Sequence, residues 1–197
     1  MNFHKLIDGQ FFARFIIHHS SFIIHHSSLL QLSTNQRHEV FLRVYKREDK
    51  KALQELFFDT VHHSNARDYT PEQLRAWAPV EPNREVWARL DSAYCFIVEL
   101  DKQPVGFAAL SRDGCIDFLC VHKDFQNRGV ATALLKQLCR LARKNGLPLL
   151  KTTASITAKC FFERQGFVLV EEQTKTLDGI PFRQYYMEKC LPAAASQ

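Results

Sequence analysis

The chain has 197 residues, 46% of them hydrophobic and 24% charged, which suits one soluble globular domain with an appendage and is too short for two ordinary domains. A net charge of +5 with no Lys/Arg block argues against nucleic-acid binding but is compatible with an anionic ligand. Six scattered cysteines without a CxxC pair read as reduced thiols of a cytoplasmic protein, and no apolar run is long enough to cross a membrane.

In chain order, the first feature is a repeat. Residues 15–21, FIIHHSS, recur unchanged as residues 22–28, ahead of a composition shift near residues 33–39. His18, His19, His25 and His26 suggest zinc, but adjacent residues of an extended chain point to opposite faces and no carboxylate or cysteine accompanies them. Phe-Ile-Ile-His-His-Ser-Ser is also what a tandem repeat of TTCATCA encodes. Residues 1–38 are therefore expected to be a translated DNA repeat, poorly ordered and without function, followed by a domain over 39–192 and a short tail over 193–197. No signal-peptide pattern is present at the N-terminus.

Beyond the repeat, "EVFLRVYK" alternates as a strand, and Asp49 is placed to cap a helix through "KKALQELFFDTVHH". Thr70 and Pro71 form a strong helix start in "DYTPEQLRAWA", and "REVWARL" continues helical. Three strands follow, "AYCFIVEL", "QPVGFAALS" and "GCIDFLCV", with turns at Asp101-Lys102 and Asp113-Gly114. "NRGVATALLKQLCRLARKNG" is an amphipathic helix with Leu134, Leu135, Leu138 and Leu141 on one face and Gly146 at its end. A strand "LPLLKTT", a helix "SITAKCFFERQG" capped by Ser155, and two strands around Asp178-Gly179 close the chain. This order predicts a mixed α/β domain, antiparallel early, with a βαβ crossover in its second half.

The site signal lies in "FLCVHKDFQNRGVATALL". A strand ends at Val121, and Gln126, Asn127, Arg128, Gly129, Val130 and Ala131 open the long helix. Unpaired N–H groups and the helix dipole favour an anion there, and the small Gly129 and Ala131 let a phosphate approach the backbone, with Arg128 available as a charged partner. The other reading is that Gly129 merely eases a tight turn.

The motif Gln-x-x-Gly-x-Ala at residues 126–131 resembles the acetyl-CoA-binding motif of the GCN5-related N-acetyltransferase (GNAT) superfamily. "SITAKCFFERQGF" resembles its second hallmark, usually Asn-x-x-Ala-x-x-Phe-Tyr-x-x-x-Gly-Phe. The resemblance covers about three quarters of the chain, and "DYTPEQLRAWAP" points to a bacterial YafP-like branch. It implies an α/β (α+β) GNAT fold: a central mixed, mostly antiparallel sheet of six to seven strands, flanked by helices, around a βαβ acetyl-CoA-binding core. It also implies direct transfer of an acetyl group from acetyl-CoA to a primary amine of a small molecule, peptide or protein, without a metal, by a monomer or homodimer.

Carried over by position, Gln126 to Ala131 would hold the pyrophosphate with Thr132 nearby. Leu119, Cys120 and Val121 would pair with the pantetheine arm and polarise the thioester carbonyl. Ser155, Ala158, Phe161 and Phe162 would line the other wall. The sequence departs from the family at Ser155, where Asn is usual, and at Phe162, where the Tyr that protonates the leaving thiolate is usual. Tyr185 or Tyr186 is expected to supply a phenol instead; they alternate, so only one faces inward. Asp117, in an otherwise apolar strand and two residues before Leu119, so on the same side of the sheet, is the candidate base. Its other reading is a carboxylate capping the Gly114 turn or meeting Arg112; Glu99 and Glu172 are further candidates. The first helices usually frame the acceptor, which makes His62, His63, Asp68, Tyr69 and Trp77 candidates, with Trp77 equally readable as core. Two alternatives stand beside the enzyme: an acyl-CoA sensor without catalysis, favoured by Phe162, and a covalent acetyl-cysteine route.

Overall fold

The computed structural model describes residues 40–192. The zinc and DNA-repeat readings, the 1–38 extension and the 193–197 tail lie outside the described residues. Strand β1 (Val40–Val44) leads into a short 3-10 turn and helix α1 (Lys50–Asp59), which loosens into a π-type turn at Thr60–Ser64. Helices α2 (Pro71–Trp77) and α3 (Arg84–Ala88) follow, then strands β2 (Tyr94–Leu100), β3 (Gln103–Leu110) and β4 (Cys115–Val121). Helix α4 (Val130–Lys144), strand β5 (Leu149–Ala154), helix α5 (Ile156–Arg164) and the hairpin β6 (Val168–Leu177) and β7 (Ile180–Cys190) complete the domain. The seven strands form one sheet in the order β1-β2-β3-β4-β5-β7-β6, and only β4 and β5 run parallel.

Local chemistry explains most boundaries. Thr70 Oγ1 accepts from Gln73 N–H at 3.2 Å while Gln73 Oε1 accepts from Thr70 N–H at 2.9 Å, a reciprocal capping box ahead of Pro71. Ser155 Oγ accepts from Ala158 N–H at 3.1 Å and starts α5. Asp178 and Gly179 both take positive φ, 50° and 79°, as a tight hairpin of this hand requires. Asp49 departs from its expected role: its carboxylate does not cap α1. It accepts instead from Lys46 N–H at 2.7 Å and from both ends of the Arg43 guanidinium at 2.7 Å. Burial alone would raise the Asp49 pKa, but these bonds outweigh it and hold the carboxyl below its usual range.

The sheet is covered on both faces. Leu53 and Leu56 of α1 and Trp87 of α3 pack with Ile97, Phe107 and Phe118 on one side. On the other, Leu134, Leu135 and Leu138 of α4 and Phe162 of α5 pack on Val98, Ala108, Leu150 and Met187. One glycine sets how closely α4 approaches. A Cβ built on Gly106 of β3 would lie 2.7 Å from Val130 Cγ1 and 3.0 Å from the Cys120 carbonyl oxygen. Gly106→Ala must therefore push the first turn of α4 off the sheet. The expected cost is about 1–3 kcal/mol, read as a lower midpoint in urea or thermal unfolding.

Candidate active site

Strands β4 and β5 stay together only briefly. Cys115 pairs with Lys151 and Ile116 with Thr152, after which no further pairs form. Asp117 is where the paths part. On the β3 side, Phe118 pairs with Ala109 and Ile116 with Leu110, so Asp117 is the unpaired residue of a β-bulge. The bulge breaks the alternation assumed from the sequence: Ile116 and Leu119 both contact the α4 side of the core, Phe118 and Cys120 the α1 side. Asp117 is thus not on Leu119's side by simple i, i+2 spacing. It is an extra residue turned out at the mouth of a wedge, a placement bulges often serve beside reactive sites.

The wedge opens into a cleft of about 1430 Å³. Asp117, Phe118, Leu119, Cys120 and Val121 form one wall, and Thr153, Ala154, Ser155, Ala158, Phe161 and Phe162 the other. At one end, Gln126, Asn127, Gly129, Val130, Ala131 and Thr132 present the start of α4. Asn127 and Gly129 both have positive φ, 59° and 84°, which turns the loop into a concave run of backbone ahead of the helix. No side chain caps α4; its first internal bond runs from Ala133 N–H to the Gly129 carbonyl at 2.9 Å. The residues expected at the anion site therefore meet in one place, Arg128 excepted. Its guanidinium sits 5.4 Å from the Phe125 ring centre and does not line the cleft. Gln126 turns its side-chain amide inward, donating to Ser64 Oγ at 2.6 Å and so tying the loop to the turn after α1.

Asp117 is solvent-exposed, yet its carboxyl is held above the usual range, first by the wedge walls that displace water from it. The Arg89 charge and a bond from the Cys115 thiol offset part of that effect, while Asp113 adds to it. Arg112 does not meet Asp117; it lies 3.9 Å from the Tyr94 ring centre and donates to the Ser92 carbonyl. Glu99 is bound to Arg43, and the exposed Glu172 pairs with Arg183 at 3.1 Å. All six cysteines are free, and burial pushes the thiol of Cys120, on the cleft wall, up to about 12. A thiol held protonated is a poor nucleophile, which weighs against a covalent acetyl-cysteine route.

The expected phenols are corrected by the fold. Neither Tyr185 nor Tyr186 lines the cleft. Tyr185 packs in the core with Lys159 Nζ 4.7 Å from its ring centre, and Tyr186 donates to Glu188 at 2.7 Å. Phe162 is only 3% exposed and meets Phe167 edge-on at 5.0 Å, so it packs the core while showing one edge to the cleft.

Among the acceptor candidates, Tyr69 and Trp77 line the cleft, with ring centres 5.2 Å apart, whereas His62, His63 and Asp68 do not. The His62 ring bonds the Ala78 carbonyl at 2.8 Å, and His63 bonds the Asp59 carbonyl at 2.9 Å. Asp68 accepts from Thr157 Oγ1 at 2.6 Å and fastens this loop to α5. These three are structural ties. One residue went unread in the sequence: Asn65, 8% exposed, lines the cleft one helical turn before Tyr69, whose N–H donates to the Asn65 carbonyl. A polar residue four positions ahead of an aromatic, just after the histidine pair, was the available signal.

Comparison with known proteins bears on the family and the fold. An acetyltransferase (GNAT) domain family model matches residues 65–189. The N-acetyltransferase YafP of Escherichia coli strain K12, itself uncharacterised, is 36% identical over 148 residues, covering 74% of this chain and 93% of its own. A GCN5-related N-acetyltransferase structure from Rhodopseudomonas palustris superposes with a TM-score of 0.73 at 32% identity, covering 80% of this chain and 100% of its own. The PaiA N-acetyltransferase from Thermoplasma acidophilum, solved in complex with coenzyme A, shares the fold with a TM-score of 0.63 at 17% identity over 77% of this chain and 99% of its own. Among the described residues, no helix is long and apolar enough to cross a membrane.

Proposed function

This chain belongs to the acetyltransferase (GNAT) family, an acyltransferase family whose acetyl donor is acetyl-CoA, and we propose that it acetylates a primary amine of a small molecule or a peptide. The observation that carries this reading is the β4/β5 wedge running onto the uncapped start of α4, just after the left-handed residues Asn127 and Gly129. Backbone N–H groups from Gln126 to Ala131 bind the pyrophosphate, with Thr132 beside them. Arg128 contributes long-range positive charge, since its side chain lies outside the cleft. The β4 backbone at Leu119, Cys120 and Val121 pairs with the pantetheine arm, opposite Ser155, Ala158, Phe161 and Phe162. One β4 N–H donates to the thioester carbonyl and strengthens its bond as negative charge gathers on that oxygen.

The acceptor enters beside Trp77 and Asn65. Asp117 takes the proton that the amine must lose, directly or through one water. Its pKa is raised because the wedge walls displace water from it, which makes the carboxylate a stronger base than a solvated one. The test is a panel of polyamines, aminoglycosides, amino acids and peptides mixed with acetyl-CoA and read by release of free thiol. Turnover well above acetyl-CoA hydrolysis is expected with at least one class. Tight acetyl-CoA binding without turnover on any acceptor would overturn the reading in favour of a sensor.

A further inference from the structure

The family's usual phenol is absent at Phe162, and the fold supplies one from the opposite direction. The chain contains five tyrosines. Tyr45 donates to the Asp91 carboxylate at 3.2 Å, Tyr186 donates to Glu188, Tyr94 lies against Arg112, and Tyr185 is packed in the core beneath Lys159. Tyr69 alone of the five lines the cleft. It reaches there from the loop before α2 and is 7% exposed, braced by Trp77 and Phe182.

Its oxygen accepts from the Ile156 N–H at 2.8 Å, at the first residue of α5 and directly beyond the end of β5. The Ser155 hydroxyl lies within bonding reach of the same oxygen and already accepts from Ala158 N–H, so its own proton is free to point at the phenol. An amide can only donate, so the bond to Ile156 leaves the phenol's proton unclaimed. Both groups also stabilise the oxygen at a moment when it carries negative charge.

Resting on the acetyl-transfer reading above, we propose that Tyr69 is the proton donor to the departing CoA thiolate. The amine nitrogen forms its bond to the carbonyl carbon, and the carbon–sulfur bond breaks with both electrons going to sulfur. Sulfur takes the Tyr69 proton. The phenolate, held by Ile156 N–H and Ser155, recovers a proton from the one Asp117 removed from the amine, so a single proton passes from amine to thiol overall. The role left vacant by Phe162 is filled across the cleft, which removes the sequence argument for a silent sensor.

The experiment is steady-state kinetics of Tyr69→Phe, Tyr186→Phe and the double variant Tyr69→Phe with Phe162→Tyr, alongside acetyl-CoA binding by calorimetry. Tyr69→Phe is expected to lower kcat about 100-fold while KM and affinity for acetyl-CoA stay within about 2-fold. Tyr186→Phe is expected to match wild type. Phe162→Tyr, which cannot restore the bond to Ile156 N–H, is expected to recover activity in the Tyr69→Phe background by placing a phenol at the usual position. Wild-type kcat in Tyr69→Phe would overturn the proposal. A loss in which acetyl-CoA binding falls in step with kcat and Phe162→Tyr restores nothing would also overturn it, showing that the phenol only holds α5 in place. A wild-type enzyme that acetylates no amine would fail at the earlier step, the transfer reading itself.

Discussion

Gly129→Glu is expected to abolish measurable acetyl-CoA binding, with a loss on the order of 1000-fold. Two effects add. Gly129 sits at φ 84°, where a residue with a Cβ is strained by roughly 1 kcal/mol or more. The larger effect is charge. A carboxylate about 4 Å from a phosphate repels it by about 4 kcal/mol at the effective dielectric near a protein surface, nearly three decades in affinity. It would also fold back onto the uncapped N–H groups of α4 and compete for them. Gly129→Ala separates the two effects, because it keeps the strain and omits the charge; a loss of about 10-fold is expected there. Calorimetry on the folded variants reads both.

Asp117→Asn is expected to lower kcat about 100-fold with acetyl-CoA affinity unchanged, because the amine then keeps its proton. The pH profile carries the sign. In the wild type, kcat/KM rises as pH climbs through the Asp117 pKa, which lies above the ordinary carboxylate value because water is displaced from it in the wedge. In the variant that acid limb disappears. Stability moves the other way. A carboxyl whose folded pKa is raised is held more favourably as the acid, so its ionisation costs the fold stability at every pH above that window. Asp117→Asn removes the cost: it should unfold at a higher temperature than wild type at neutral pH and lose that advantage in acid. Gain of stability with loss of rate marks a group placed for chemistry rather than for packing.

What could be read in the sequence follows from how local each cause is. The span of α4 was legible because Leu134, Leu135 and Leu138 repeat at helical spacing and all three reach the core. The starts of α2 and α5 were legible because Thr70 and Ser155 cap from within the same turn. The turn into α4 was legible for the same reason, since a strand end, a glycine and a helix start are neighbours in the chain. The placement of Asp117 was misread, because alternation along β4 assumes a regular strand and the bulge depends on pairing with β3. Tyr185 and Tyr186 show the limit of face counting. Alternation correctly separates their faces, but it does not say that neither ring lines the cleft. Tyr69 was the least legible, because its hydroxyl partner lies 87 residues away and nothing local marks that contact. His62, His63 and Asp68 misled because polar side chains near a site also serve to tie loops to backbone.

The β4/β5 wedge and the start of α4 are expected to hold acetyl-CoA, and the structure of the complex with acetyl-CoA tests this most directly. The pyrophosphate is expected on the backbone from Gln126 to Ala131, the pantetheine arm between Leu119–Val121 and Ser155, and the sulfur within hydrogen-bonding reach of the Tyr69 phenol. Density for the cofactor elsewhere on the surface, or a bound cofactor whose pyrophosphate leaves the Gly129 turn untouched, would contradict it.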